Sequence, residues 1–171
     1  MIFDAIHLSL LQCFLFAFEN IFKNHHLAVN SCDFASKYLK FLVFHKIPSS
    51  NILRLFYSDN LIAGWLEHPK SPIIVDDKAR ARSAGKIITY KNQLYRFSQD
   101  CTNIYGESVR AHKIIKLNKI EYLEEEYNEN PILHPTGMGW NSHRMHHIHA
   151  IEERSEHWIA VVDGLSRKMG L

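Results

Sequence analysis

The sequence predicts a mainly β protein behind an N-terminal segment that is helical or irregular. Two hairpin patterns and a shift in composition support this prediction. All seven glycines lie after residue 63, and four of the five prolines lie after residue 67. Glycine and proline are typical of turns, so we expect short strands separated by turns from near the middle of the chain onward. We therefore divide it into an apolar N-terminal segment, residues 1–50, and a β domain, residues 51–171.

The N-terminal segment contains an apolar run over residues 8–18, LSLLQCFLFAF. Its length suits a signal peptide, but Asp4 precedes it, and neither a basic region nor a convincing cleavage site accompanies it. Gln12 and Glu19 interrupt the run, which is too short to span a bilayer comfortably. We expect a buried amphipathic helix or a core strand here, with a membrane-associated N-terminus as the alternative.

Charge and cysteine content exclude several classes of function. The formal net charge is +2, and the only dense basic stretch is the short KARAR at residues 78–82, so we expect no nucleic-acid partner. Cys13, Cys32 and Cys101 lie far apart, without metal-type spacing, which favours a reducing, cytoplasmic compartment. The sequence contains no phosphate-binding glycine loop, dinucleotide fingerprint or serine elbow, and we therefore predict no cofactor.

Two hairpins organise the β domain. KIITY and QLYRF adjoin a turn at Lys91-Asn92, where asparagine tolerates the positive φ of a tight turn. MHHIHAIEE and EHWIAVVDG form the second hairpin, and residues 158–162 are apolar on both strand faces. Such a strand is typical of stacked sheets, and we expect both of its faces to be buried. Between the hairpins, residues 121–131 read as a solvated loop or short helix with surface carboxylates.

Polar residues crowd the ends of the first hairpin: Arg82, Arg96, Gln99, Asp100 and Tyr105. Strand ends that carry so many hydrogen-bonding groups often belong to a ligand site. The alternative is a clamp of arginine with aspartate or tyrosine that ties loops together. Both interpretations remain open at the level of the sequence.

An ordered series of motifs resembles the N-terminal domain of the plant glucosamine inositolphosphorylceramide transferases and their bacterial relatives. The motifs are LFYSDNLIAGWLEHPKSPI, ARSAGKIITYKNQLYRFSQDCTNIYG, YLEEE and GWNSHRMHHIHAI…HWIAVVDG, and they extend over residues 53–165. The resemblance implies a five-bladed β-propeller of the arabinanase, levansucrase and invertase type. A blade takes roughly 40–50 residues, so this chain would hold two to three blades, a partial or truncated propeller. A partner domain or a second chain would supply the missing blades.

The resemblance also implies a carbohydrate context, although glycosyl transfer in the plant enzymes is associated with a separate C-terminal domain. The leading function is recognition or processing of a glycan or inositol-phosphate-type headgroup. Processing would use paired carboxylates. The catalytic candidates are Asp59, Asp100 and Asp163, and the substrate-binding candidates are Arg82, Gln99, Tyr105, His146, His147 and Trp140. The alternative role for each aspartate is that of a turn cap.

The histidine-rich run HRMHHIH, residues 143–149, supports a second functional class. In a strand, His147 and His149 share a face, with His143 as a further candidate, while His146 points away. Asp163 on the neighbouring strand would complete a zinc site, and the chain would then be a metal-dependent hydrolase. No HExxH or paired-cysteine spacing accompanies the run, so we predict no metal. An inactive fragment of a longer glycan-active protein is the third interpretation.

Overall fold

A computed structural model describes residues 51–60 and 64–166 in full, and residues 27–29, 34–36 and 39–46 as backbone strands. These residues form thirteen strands, all paired antiparallel, and one short 3-10 helix. The predicted mainly β fold is confirmed. No helix that could cross a membrane occurs in the described part of the chain.

The first sheet has six strands. They are β1 (Leu27–Val29), β2 (Phe34–Ser36), β3 (Leu39–Lys46), β4 (Ile52–Ser58), β5 (Leu66–Glu67) and β6 (Ile74–Val75). Three of these strands lie where a helical or irregular conformation was expected, because an apolar run alone does not distinguish a strand from a helix. The antiparallel pairing of β3 with β4 decides between them. The run at residues 8–18 lies outside the described residues.

The second sheet has five strands and lies in the middle of the fold. They are β7 (Arg82–Ser83), β8 (Ile88–Tyr90), β9 (Gln93–Asp100), β10 (Ser108–Leu117) and β11 (Tyr122–Glu126). The predicted first hairpin is confirmed as β8–β9, with φ of 48° at Lys91 and 61° at Asn92. Positive φ at both central residues is the signature of a type I′ turn. The expected loop or helix at residues 121–131 is wrong over β11, which pairs with β10.

The third sheet is a hairpin of two strands, β12 (Arg144–Arg154) and β13 (His157–Leu165), preceded by the 3-10 helix Gly139–Asn141. The predicted second hairpin is therefore confirmed. The expected burial of both faces of β13 is wrong, since Ile159 and Val161 are 49% and 68% exposed. Among the described residues, no sheet covers this face.

Two apolar cores flank the middle sheet. One joins it to the first sheet and contains Leu53, Leu55, Ile74, Ala81, Ile87 and Ile114. The other joins it to the C-terminal hairpin and contains Ala84, Phe97, Val109 and Ala111, with Ile148 packed against them. None of the three sheets closes on itself within the described residues. Their arrangement as blades of a propeller stays a prediction.

Candidate functional site

Two glycines allow the C-terminal hairpin to approach the middle sheet closely. At Gly85, φ is +149°, and an added Cβ would overlap the carbonyl oxygen of Ile148. The Ile148 amide donates to the Ala84 carbonyl oxygen at 2.8 Å. At Gly106, φ is +62°, and a Cβ would lie 2.6 Å from the Cβ of His146. β12 therefore lies directly against the end of β7 and the loop after β9.

Arg82 organises the middle-sheet side of this junction. Its Nε donates to Gln99 Oε1 at 2.9 Å, and its terminal nitrogen donates to the Tyr105 hydroxyl at 2.7 Å. The β7–β9 register places Arg82 directly opposite Gln99. The guanidinium carbon also lies 4.5 Å from the centre of the Tyr105 ring, within cation–π range.

The hairpin contributes an imidazole and a carboxylate to the same junction. His146 Nδ1 lies 2.7 Å from Asp163 Oδ1. The His146 ring is edge-on to Tyr105, with the ring centres 6.0 Å apart. A continuous chain of contacts therefore runs from Gln99 through Arg82, Tyr105 and His146 to Asp163, and we call these five residues the polar cluster. Tyr105 is 48% exposed and the Asp163 side chain 54%, so a solute can reach both.

Two of the remaining predicted site residues, Asp100 and Asp59, are not members of the polar cluster. Asp100 caps a turn by accepting from the Thr102 amide at 3.0 Å, and its second oxygen lies 3.3 Å from Arg110. Asp59 forms an exposed ion pair with Lys119 at 3.1 Å. Both carboxylates thus pair with residues outside the polar cluster.

Trp140 and His147 lie closer to the cluster. Trp140 packs on the backbone of Gly164, next to Asp163, and is 59% exposed. His147 is opposite Asp163 in the β12–β13 register and lies near Gly85. Burial lowers the pKa of His147, and the Asp163 carboxylate opposes that shift.

A β-bulge reorders the histidine run. The register shifts between Met145 and His147, and the ring that pairs with Asp163 is that of His146. Strict strand alternation would have directed His146 away, but a bulge adds one residue and re-aims its neighbours. Across the described residues, the structure contains no group of three His, Cys, Asp or Glu side chains able to hold a metal ion.

The sequence did not predict a buried charge network on the opposite face of β9. Arg96 is fully buried, and it binds both oxygens of Glu124 at 2.7 and 2.8 Å. Its remaining nitrogen donates to the Arg80 carbonyl oxygen at 2.9 Å, and the Tyr122 hydroxyl donates to Glu124. Glu124 belongs to a run of three glutamates whose sequence does not reveal which one is buried.

The network shifts several pKa values. Burial tends to raise the pKa of Glu124, but the charge of Arg96 outweighs burial and holds it well below its usual range. Burial and the Glu124 charge raise the pKa of Tyr122. Burial, then the charge of Arg96, lowers the pKa of His112 to about 3.

Ser98 and His112 resemble part of a catalytic triad, with Ser98 Oγ 2.7 Å from His112 Nε2 and Glu124 4.0 Å from Nδ1. Both Ser98 and His112 have zero exposure, so no substrate reaches the hydroxyl in this structure. A nucleophile must contact its substrate, and we therefore interpret this network as structural.

The network predicts a pH dependence of stability that involves His112. Its pKa is about 3 when folded against 6.5 when unfolded, so between these values the unfolded chain binds a proton that the folded chain does not. The free energy of unfolding should therefore fall with decreasing pH below 6.5, by up to about 1.4 kcal/mol per pH unit for this group. Glu124 adds a second loss below its ordinary pKa of 4.5.

Urea unfolding between pH 6.5 and pH 4.5 measures this slope. His112→Gln should make the slope shallower, because the substitution removes the titrating group. The same change at the exposed His134 serves as the control and should preserve the slope. Equal slopes in the wild type and His112→Gln would contradict the prediction.

The fold and the site together define an open, antiparallel β domain with an exposed polar cluster where two sheets meet. Residues 19–165 match the family described as glucosamine inositolphosphorylceramide transferase 1, N-terminal. The chain belongs to this family, and the predicted resemblance is confirmed.

Two named relatives support the assignment. Glucosamine inositolphosphorylceramide transferase 1 of Oryza sativa subsp. japonica is 38% identical over 122 residues, which cover 70% of this chain and 16% of the relative. The protein of the same name from Arabidopsis thaliana is 35% identical over 114 residues, 66% of this chain and 15% of the relative. The chain thus spans about one sixth of the length of these relatives. No solved structure matches the chain.

Proposed function

We propose that the polar cluster recognises the headgroup of a glycan or glycolipid. The observation that supports this proposal is the continuous contact chain from Gln99 to Asp163. Its members come from β7, β9, the following loop and the C-terminal hairpin. Side chains from separate elements that converge on an exposed junction are typical of binding sites.

The chemistry of the cluster suits a polyhydroxylated ligand that carries a phosphate. A guanidinium such as that of Arg82 binds phosphate or hydroxyl oxygens through directed hydrogen bonds. The Asp163 carboxylate accepts hydrogen bonds from hydroxyl groups, and the Gln99 amide both donates and accepts. Trp140 adds an exposed aromatic surface beside Asp163, against which the apolar face of a sugar ring can pack.

The relatives' names suggest the ligand class. They are glucosamine inositolphosphorylceramide transferases, and an inositol-phosphate or amino-sugar headgroup is accordingly the first ligand to test on this chain. Recognition by this domain does not require that it carries the transferase chemistry.

Thermal unfolding against inositol phosphates, glucosamine and simple glycosides tests the proposal. A ligand that binds the folded state raises the melting temperature by mass action, by an amount that grows with its concentration. Arg82→Ala should abolish that increase because it removes the guanidinium that joins Gln99 to Tyr105. Arg54→Ala is the matched control, since Arg54 lies on β4 and forms a surface ion pair with Glu67, and its ligand response should persist. No response to any of these compounds, or an equal response in Arg82→Ala, would contradict the proposal.

Processing of the ligand at the same site is a second candidate, favoured by the 2.7 Å contact of Asp163 with His146. An exposed carboxylate held beside an imidazole can transfer a proton, a contribution of roughly 10²–10⁴-fold in rate. Any glycosidase activity of the purified chain should therefore fall by about that factor in Asp163→Asn, while ligand affinity is retained. Asp59→Asn is the matched control, because Asp59 is also an exposed aspartate, next to the end of β4, but pairs with Lys119. Equal activity in the two variants would exclude Asp163 from the chemistry.

A further inference from the structure

Within the described residues, one edge of the C-terminal hairpin, that of β13, is not paired with another strand. β13 pairs with β12 on one side and with no further strand in the part of the chain that the structure describes. Lysine and proline commonly protect such edges, and the nine residues HWIAVVDGL contain neither. Two strands alone form a marginal sheet, whereas three or more are stable. The edge of β13 is therefore suited to accept another strand.

The face of the hairpin that points away from the middle sheet is apolar. Met145 and Ala150 are buried on the inner face. Ile159 and Val161 on β13, with Ile151 opposite Ile159 on β12, are 49%, 68% and 47% exposed. A row of exposed aliphatic side chains beside a free strand edge is characteristic of an association surface.

We propose that β13 pairs antiparallel with β13 of a second copy of this chain. The two hairpins then form one four-stranded sheet about a two-fold axis that passes between the two Ala160 residues. In this register Ile159 of each copy faces Val161 of the other, and His157 faces Asp163. Aliphatic pairs and hydrogen-bonding polar pairs are both favourable directly across an antiparallel ladder.

The sequence of β13 favours this register over its neighbours. An axis at Val161 would set Ile159 opposite Asp163, an aliphatic side chain against a carboxylate. An axis at Ile159 would set His157 opposite Val161 and leave Asp163 beyond the paired residues. The register centred on Ala160 is the one of the three that matches both the aliphatic and the polar residues. A second copy is thus a partner whose chemistry complements the edge.

The pairing also brings a residue of the second copy to the polar cluster. Directly opposed Cβ atoms in an antiparallel pair lie about 4.5–5.5 Å apart. His157 of the second copy would then lie beside Asp163, which already contacts His146 of its own chain. Association is independent of the proposed ligand, and its test therefore measures mass rather than binding.

Sedimentation equilibrium of the full chain tests the register. We expect the wild type to be a dimer. Ala160→Lys and Ala160→Glu should each be monomeric, because each places two like charges opposite one another on the axis. An equimolar mixture of the two variants should regain the dimer mass, since lysine then faces glutamate. Ala160 is exposed, so both variants should keep the wild-type secondary structure, which circular dichroism verifies.

Ile151→Lys is the matched control. Ile151 lies on the same exposed face but on β12, away from the edge, and the variant should remain a dimer. A wild type that is monomeric at every concentration overturns the proposal, as does a dimer that persists in both Ala160 variants. Dissociation by Ile151→Lys overturns it as well, because it would show contact through the sheet face rather than through the edge.

Discussion

Arg96→Met is expected to lower the free energy of unfolding by about 3–5 kcal/mol, the usual cost of removing one partner from a buried ion pair. Arg96 is fully buried and the Glu124 side chain is 3% exposed. Without the guanidinium, Glu124 would keep a buried charge or take up a proton, and both outcomes cost free energy. The carbonyl oxygen of Arg80 would also lose its donor.

Urea unfolding of Arg96→Met beside Arg54→Met provides the comparison. Arg54 forms an exposed pair with Glu67, and such pairs contribute about 0–1 kcal/mol. The double variant Arg96→Met/Glu124→Leu should recover part of the loss, because replacing both partners leaves no uncompensated charge. Losses of equal size in Arg96→Met and Arg54→Met would show that the buried pair does not stabilise the fold.

Gly85→Ala should have the second large effect, about 2–4 kcal/mol, from a backbone clash together with an unfavourable positive φ. Its Cβ would overlap the carbonyl oxygen of Ile148, and a backbone atom cannot rotate away as a side chain can. The hairpin must therefore move away from the middle sheet, which would also separate His146 from Tyr105.

Gly137→Ala is the control that isolates the clash. Gly137 also has positive φ, at +79°, but no atom lies within 4 Å of the position its Cβ would take. Its cost should be about 1 kcal/mol from the backbone conformation alone. Hydrogen exchange at the Ile148 amide, which bonds to Ala84, should rise selectively in Gly85→Ala. Equal losses in the two alanine variants would show that the hairpin tolerates the shift.

Local patterns predicted both hairpins because their signals lie within a few neighbouring residues. The Lys91-Asn92 turn adopts the positive φ values that its asparagine allowed. The individual residues of the polar cluster were predictable for a similar reason, because they lie at or near strand ends. Pairing Arg82 with Gln99, and His146 with Asp163, required the register of the strands and a bulge in β12.

The sequence alone determined the family, the β class and the positions of both hairpins, because these depend on composition, alternation and ordered motifs. Only the tertiary structure decided which charges are buried. The sequence does not distinguish Glu124, Glu125 and Glu126. Strand alternation turns Glu125 away from the face that carries Glu124, and Glu124 pairs with the buried Arg96. Glu126 shares that face but pairs with Arg110 and is 41% exposed. The tertiary structure also decided that one face of β13 is exposed to solvent. Burial depends on which sheets pack together, and a local sequence pattern does not specify contacts between distant segments.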